Sequence, residues 1–151
     1  LSDLTETENA IKNGWLLTGD IGHFENGYLK ITDRKKDILI TPGGDNISPA
    51  KIENELVKTD IVEQALVYGD NKPFLVALIV LNENFKDSTN EMIQDEINKI
   101  NKELSKIEKI KKFIVLNNQF SIENGFMTPT LKLKRFKIIQ KYKKDLDKLY
   151  E

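Results

Sequence analysis

Phe74-Leu75-Val76-Ala77-Leu78-Ile79-Val80-Leu81 is the longest apolar run of the chain, bounded by Lys72-Pro73 and by Asn82-Glu83-Asn84. It is too short to cross a bilayer and matches a buried β-strand. Just upstream, residues 62–68 form a second strand-like run, and Gly69-Asp70-Asn71-Lys72-Pro73 between them is a cluster of turn formers. The spacing therefore predicts two paired strands.

Working outward, Ile38-Leu39-Ile40 reads as a short strand followed by the turn Pro42-Gly43-Gly44-Asp45. Ser48-Pro49 then opens a helix, because serine caps free amides and proline tolerates the first helical position. Ile52 and Leu56 lie on one face of it. Downstream, Ile93, Ile97, Ile100, Leu104 and Ile107 recur at spacings of three and four, which predicts a helix over 89–110. A strand over 113–116 and a final helix over 136–150 complete the pattern. Strands and helices in this order predict an α+β domain of mixed antiparallel strands with helices on one side.

The N-terminal stretch reads differently. Residues 1–14 are polar and predict a short helix ending near Gly14. Two short alternating runs on either side of Asn26-Gly27 predict a β-hairpin. The charge cluster Asp33-Arg34-Lys35-Lys36-Asp37 reads as a linker. The expected division is a tail over 1–32, a linker over 33–37 and a domain over 38–151.

Composition narrows the chemistry. The chain has 151 residues, 39% hydrophobic and 31% charged, which suits a globular protein and not a disordered one. Its 23 basic and 24 acidic residues nearly cancel, so the whole chain is no polyanion binder. The absence of cysteine excludes disulfides and thiolate metal sites and is compatible with a reducing cytoplasm. His23 is the one histidine, so a multi-histidine metal centre is excluded. The chain opens at Leu1 with no signal-like segment, and it is expected to be a piece of a longer polypeptide.

Four segments carry candidate chemistry. In Leu17-Thr18-Gly19-Asp20, a carboxylate beside a glycine can face two adjacent hydroxyls such as those of a ribose; the plainer reading is a turn in which Asp20 caps an amide. Arg34 offers a planar fork of donors for a sugar or phosphate. In Thr41-Pro42-Gly43-Gly44-Asp45, paired glycines allow close backbone approach to a ligand or make a tight turn. In Thr128-Pro129-Thr130-Leu131-Lys132-Leu133-Lys134-Arg135, alternation in an extended segment sends Lys132 and Lys134 to one side and Leu131 and Leu133 to the other.

Taken in order, these four segments, with Asn46-Ile47 and Ile52-Glu53, resemble successive motifs of the acyl-CoA synthetases, most of all the long-chain fatty-acid branch. That family belongs to the adenylate-forming, AMP-binding superfamily. The resemblance runs from Gly14 to about Lys137. It implies a mobile C-terminal domain over 38–151 preceded by a hairpin tail of a large N-terminal AMP-binding domain. It implies that Asp20 and Arg34 hold the ribose of ATP and that Lys36 is the hinge. Gly43 and Gly44 would line the path of coenzyme A in thioester formation, and Lys132 would be the catalytic lysine of adenylation, with Lys134 the competitor. Two departures stand out: Leu131 occupies a place where many relatives have glycine, and Asp45 one where glutamate is usual.

The implied co-substrates are ATP, coenzyme A and a long-chain fatty acid. Mg2+ would be held mainly by the N-terminal domain, since this chain shows no metal set or phosphate loop of its own. The implied location is the cytoplasm, peripheral to a membrane, with no nucleic-acid partner, and the fragment alone is expected to be inactive. Three alternatives remain open: a ligase using another acid or acceptor (an acyl-carrier-protein ligase, a medium-chain synthetase or a peptide-synthetase adenylation domain), a basic nucleic-acid-binding module using residues 132–148, and a helix-pairing module using the isoleucine stripe at 93–107.

Overall fold

The computed structural model describes residues 8–151 and divides into two units, 1–38 and 39–151. The predicted helix over 1–14 falls partly on residues 1–7, which lie outside the described residues. Residues 8–10 are helical as predicted, but the end near Gly14 is corrected: strands β1 (Ile11–Lys12) and β2 (Trp15–Leu16) pair antiparallel there. Asn13 and Gly14 turn the chain with φ of 52° and 79°. Two successive positive φ values define the hairpin turn that asparagine and glycine tolerate best, so the local turn chemistry prevails over helix formation.

The predicted hairpin follows. Strands β3 (Asp20–Glu25) and β4 (Tyr28–Arg34) pair antiparallel around Asn26-Gly27. Asp33 and Arg34 are the last residues of β4, and Lys35–Asp37 form one 3-10 turn. Asp33 is the one buried residue of either strand.

The second unit is built on a three-stranded sheet. Strand β7 (Val62–Tyr68) pairs antiparallel with β8 (Leu75–Leu81), and β8 pairs parallel with β9 (Ile110–Leu116). Ahead of them, β5 (Leu39–Ile40) and β6 (Asn46–Ile47) form a small ladder leading into helix α1 (Pro49–Val57). Ser48 accepts the Lys51 amide at 3.2 Å and Pro49 takes the first turn, as predicted. Helix α2 (Asn90–Glu103), capped by Thr89, crosses from β8 to β9, and α3 (Arg135–Lys148) ends the fold.

Helices cover both faces of the sheet, not one as predicted. Every residue of β8 is buried. Leu75, Ala77, Ile79 and Leu81 pack with Ile52 and Leu56 of α1 and Ile93 and Ile97 of α2. Val76, Leu78 and Val80 pack instead with Ile138 and Leu146 of α3. A strand apolar at every position has no face left for water. Each such valine, leucine or isoleucine contributes about 1.5–3 kcal/mol when fully buried.

Helix α2 stops well before the predicted 110. Leu104 leaves the helix with ψ near 149°, and Ile107 is half-exposed in the following loop. Two local devices end it. Asn101 exchanges both side-chain hydrogen bonds with the backbone of Ile110, at 2.8 and 2.9 Å, and Glu108 accepts the Ser105 amide and hydroxyl. Ile93 and Ile97 are core residues, so the isoleucine stripe is spent on packing.

Candidate functional site

The tail hairpin places Asp20 directly opposite Arg34. The Arg34 Nε lies 3.4 Å from the Asp20 Oδ1, and both side chains remain open to solvent. A slip in the ladder creates this pairing. From Glu25↔Tyr28 to Gly22↔Ile31 the register is regular, but Ile21 then faces Asp33, leaving Thr32 as the extra residue. Thr32 closes the bulge by donating its hydroxyl to the Ile21 carbonyl at 3.2 Å. Without the bulge Asp20 would oppose Asp33, two like charges, because an inserted residue shifts every later partner. Gly22 is required at the bulge: a Cβ there would lie 2.6 Å from the Lys30 carbonyl oxygen. The amide-capping reading of Asp20 is not what the structure has. Thr18 Oγ1 accepts the Asp20 amide instead, at 3.2 Å, leaving the Asp20 carboxylate to Arg34.

The glycine loop spans β5 and β6. Thr41 closes it three times with Asp45: amide to carbonyl at 2.9 Å, hydroxyl to carboxylate at 3.2 Å, and Asp45 amide to hydroxyl at 3.0 Å. Gly44 takes a φ of 89° at the turn, whereas a Cβ at Gly43 would meet only ordinary contacts. Asp45 is thus the residue that shuts the loop. At the loop's base the Ile40 amide donates to Asp70 Oδ1 and its carbonyl accepts from Asn71. The loop is held rigidly while Pro42, Gly43 and Gly44 face solvent.

The basic segment is a compact hairpin. Met127 bridges Leu133, Thr128 donates to the Lys132 carbonyl at 2.8 Å, and Leu131 donates back to Thr128. The Thr128 hydroxyl accepts the Lys132 amide at 3.1 Å. Lys132 stands exposed at the tip, whereas Lys134 is half-buried at the start of α3, its amide bonded to the Phe126 carbonyl. The predicted alternation holds only in part. Leu133 packs against the core, but Leu131 is 66% exposed with a φ of 61°. A turn at Leu131, not an extended strand, aims this segment. Positive φ favours glycine, so a leucine at this turn is strained.

One arrangement had no assigned role in the sequence reading. Glu53 of α1 accepts the Val67 amide at 2.7 Å and pairs with Arg135 at 2.8 Å, while Arg135 donates to the Val67 carbonyl at 3.1 Å. Both side chains are largely buried. Arg135 lies three positions after Lys132, and nothing local in the chain marks Glu53 as its partner.

Among the described residues no group of three or more acidic or histidine side chains gathers to hold a metal ion. No helix among them is long and apolar enough to cross a membrane.

Comparison with known proteins places this geometry. The family model described as the AMP-binding enzyme C-terminal domain matches residues 36–151. The long-chain-fatty-acid–CoA ligase FadD15 of Mycobacterium tuberculosis is 34% identical, matching 95% of this chain and 28% of its own length. Long-chain-fatty-acid–CoA ligase 5 of Mus musculus is 35% identical over 100% of this chain and 26% of its own. The chain thus spans about a quarter of the curated relatives it matches. Among solved structures, the adenylation domain of a carboxylate reductase from Mycobacterium chelonae superposes with a TM-score of 0.86 at 29% identity, covering 97% of this chain and 25% of that one. That of Segniliparus rugosus, solved with AMP and a co-purified carboxylic acid, matches equally at 0.86 and 27% identity, covering 98% and 25%. The chain belongs to the AMP-binding enzyme C-terminal domain family.

Proposed function

We propose that this chain is the C-terminal portion of an ATP-dependent long-chain fatty-acid–CoA ligase. Residues 1–32 are the tail of a large nucleotide-binding domain, 33–37 the linker with Lys36 as its pivot, and 38–151 the mobile domain. The observation that carries the reading is Lys132, an exposed ammonium at the tip of a hairpin fastened by three hydrogen bonds to Thr128 and Lys132. A cation held this way suits phosphoryl transfer, where charge grows on the attacking and leaving oxygens of the α-phosphate. Its charge acts, with no proton to move.

The other residues fit the same chemistry. The Asp20 carboxylate, solvent-facing beside Arg34, suits two vicinal ribose hydroxyls. The pair is exposed enough that exchanging it for a ligand costs little, about 1 kcal/mol or less. Among the described residues no acidic or histidine group fits the Mg2+ that accompanies ATP. In the second half-reaction the coenzyme A thiol attacks the acyl carbon and AMP leaves. The rigid Gly43-Gly44 loop, without side chains, suits the passage of a narrow thiol-bearing arm. Alternation about Lys36 lets one pocket serve both steps. The same reading puts the enzyme in the cytoplasm, in peripheral contact with a membrane.

The test uses the full-length enzyme. Lys132→Ala is expected to lower acyl-AMP formation at least ~100-fold, the usual scale for removing a transition-state donor, while thioester formation from supplied acyl-AMP survives. Unchanged adenylation in Lys132→Ala, with loss in Lys134→Ala, would transfer the role to Lys134. AMP release that needs both coenzyme A and a long-chain fatty acid separates this reading from ligases with other acids or acceptors.

A further inference from the structure

Among the described residues, strand β7 is an edge of the sheet, paired only with β8. An edge strand leaves alternate amides and carbonyls without a strand partner. At Val67 both groups are taken by side chains: Glu53 Oε1 accepts the amide and Arg135 Nη1 donates to the carbonyl. Glu53 Oε2 and Arg135 Nη2 then close the ring at 2.8 Å. The ion pair stands where a neighbouring strand's backbone would stand. At Gln64 of the same strand the roles are reversed: its side-chain amide accepts from the Phe120 backbone amide at 2.7 Å and donates to the Phe120 carbonyl at 2.9 Å.

These two clasps hold both ends of the segment that carries the lysine hairpin. Gln64 grips Phe120, at its beginning. Arg135, the first residue of α3, closes its end, three positions after Lys132. Between them Lys134 donates to the Phe126 carbonyl and Met127 bridges Leu133, so the hairpin's base cannot shift without moving Arg135. The glycine loop is closed by Thr41 and Asp45 and is independent of this ring.

We propose that Glu53 and Arg135 are positioning residues for Lys132. They tie the root of its hairpin to α1 and to the edge of β7, so that the ammonium is presented in one place. The bidentate fork of arginine is needed, because it must reach a carboxylate and a carbonyl at once. This inference rests on the reading of Lys132 given above.

Arg135→Lys and Glu53→Gln in the full-length enzyme test it, beside the wild type. A displacement of about 1 Å at a reacting group costs up to ~100-fold in rate. Arg135→Lys is therefore expected to lower adenylation by ~10- to 100-fold in kcat with the KM for ATP little changed. Thioester formation from supplied acyl-AMP should stay near wild type, and Glu53→Gln should follow the same pattern. A merely structural role would lower both half-reactions together, and that result overturns the proposal. If the wild type itself forms no acyl-AMP, the ligase reading fails, and hydrogen exchange on the 151-residue chain still judges the clasp. The amides of Thr128, Leu131 and Lys132 should then exchange faster in Arg135→Lys while those of α2 do not change. Unaltered exchange across 126–134 overturns it.

Discussion

Single side chains settle several matters that their neighbours in sequence leave open. Leu131 sits in the left-handed region with no Cβ relief, a cost of about 1–2 kcal/mol; the hydrogen bonds of Thr128 to either side of it hold it there. Glu108 shows how burial and bonding compete. Burial would raise its pKa, but hydrogen bonds from Lys51 and Ser105 outweigh that and hold the carboxyl below its ordinary value of 4.5. A carboxyl depressed on folding contributes stability above its unfolded value, and the contribution disappears as pH falls through the lower folded value. Glu108→Gln should therefore cost about 1 kcal/mol or less at pH 7, where Lys51 is solvent-screened. It should also flatten the loss of stability below about pH 4.5, as read from urea unfolding across that range. Equal slopes in both proteins would rule Glu108 out as an acid-sensitive group.

The elements are finished by contacts at their ends. Helix α2 stops where Asn101 seizes the backbone of Ile110, not where its apolar periodicity lapses. Helix α3 is fixed at its far end by Tyr150, whose hydroxyl donates to the Phe74 carbonyl at 3.0 Å and approaches that of Tyr68 at 3.4 Å. Its ring stacks against Phe74 with centroids 4.9 Å apart, and burial pushes its phenol well above the ordinary pKa of 10. Tyr150→Phe keeps the ring and removes the hydroxyl. Stability should fall by about 0.5–1.5 kcal/mol, measured by urea unfolding, from the lost hydrogen bond. No loss would mean that ring packing alone secures the end of the chain.

Taken entire, the protein joins two unlike units. Residues 39–151 enclose clusters on both faces of β8. The tail hairpins instead expose Trp15, Phe24, Tyr28, Leu29 and Ile31, each more than half open to solvent. Such a surface suits a piece that folds against a larger domain. Trp15 is the sole tryptophan and is 77% exposed, so its fluorescence reports on the tail alone. In the 151-residue chain its emission should sit at the water-exposed maximum and change little through urea unfolding, while far-ultraviolet circular dichroism shows a cooperative transition. A blue-shifted emission that moves with the dichroism would mean that the tail has a buried environment of its own.

Much of this was legible in the chain itself. Asn26-Gly27, Ser48-Pro49 and the apolar run of β8 act through near neighbours: a backbone conformation asparagine and glycine tolerate, an amide a serine can reach, a surface water cannot wet. Those interactions operate wherever the residues occur, so reading them needs no fold. Folding alone brought Glu53 to Arg135 across 82 positions, set β9 parallel to β8, and placed helices on both sheet faces. It also inserted the bulge that turns Asp20 away from Asp33 and toward Arg34. The first three depend on distant segments packing together, and the preferences of individual residues do not specify which distant partner wins; the bulge depends on how the two strands of one hairpin pair.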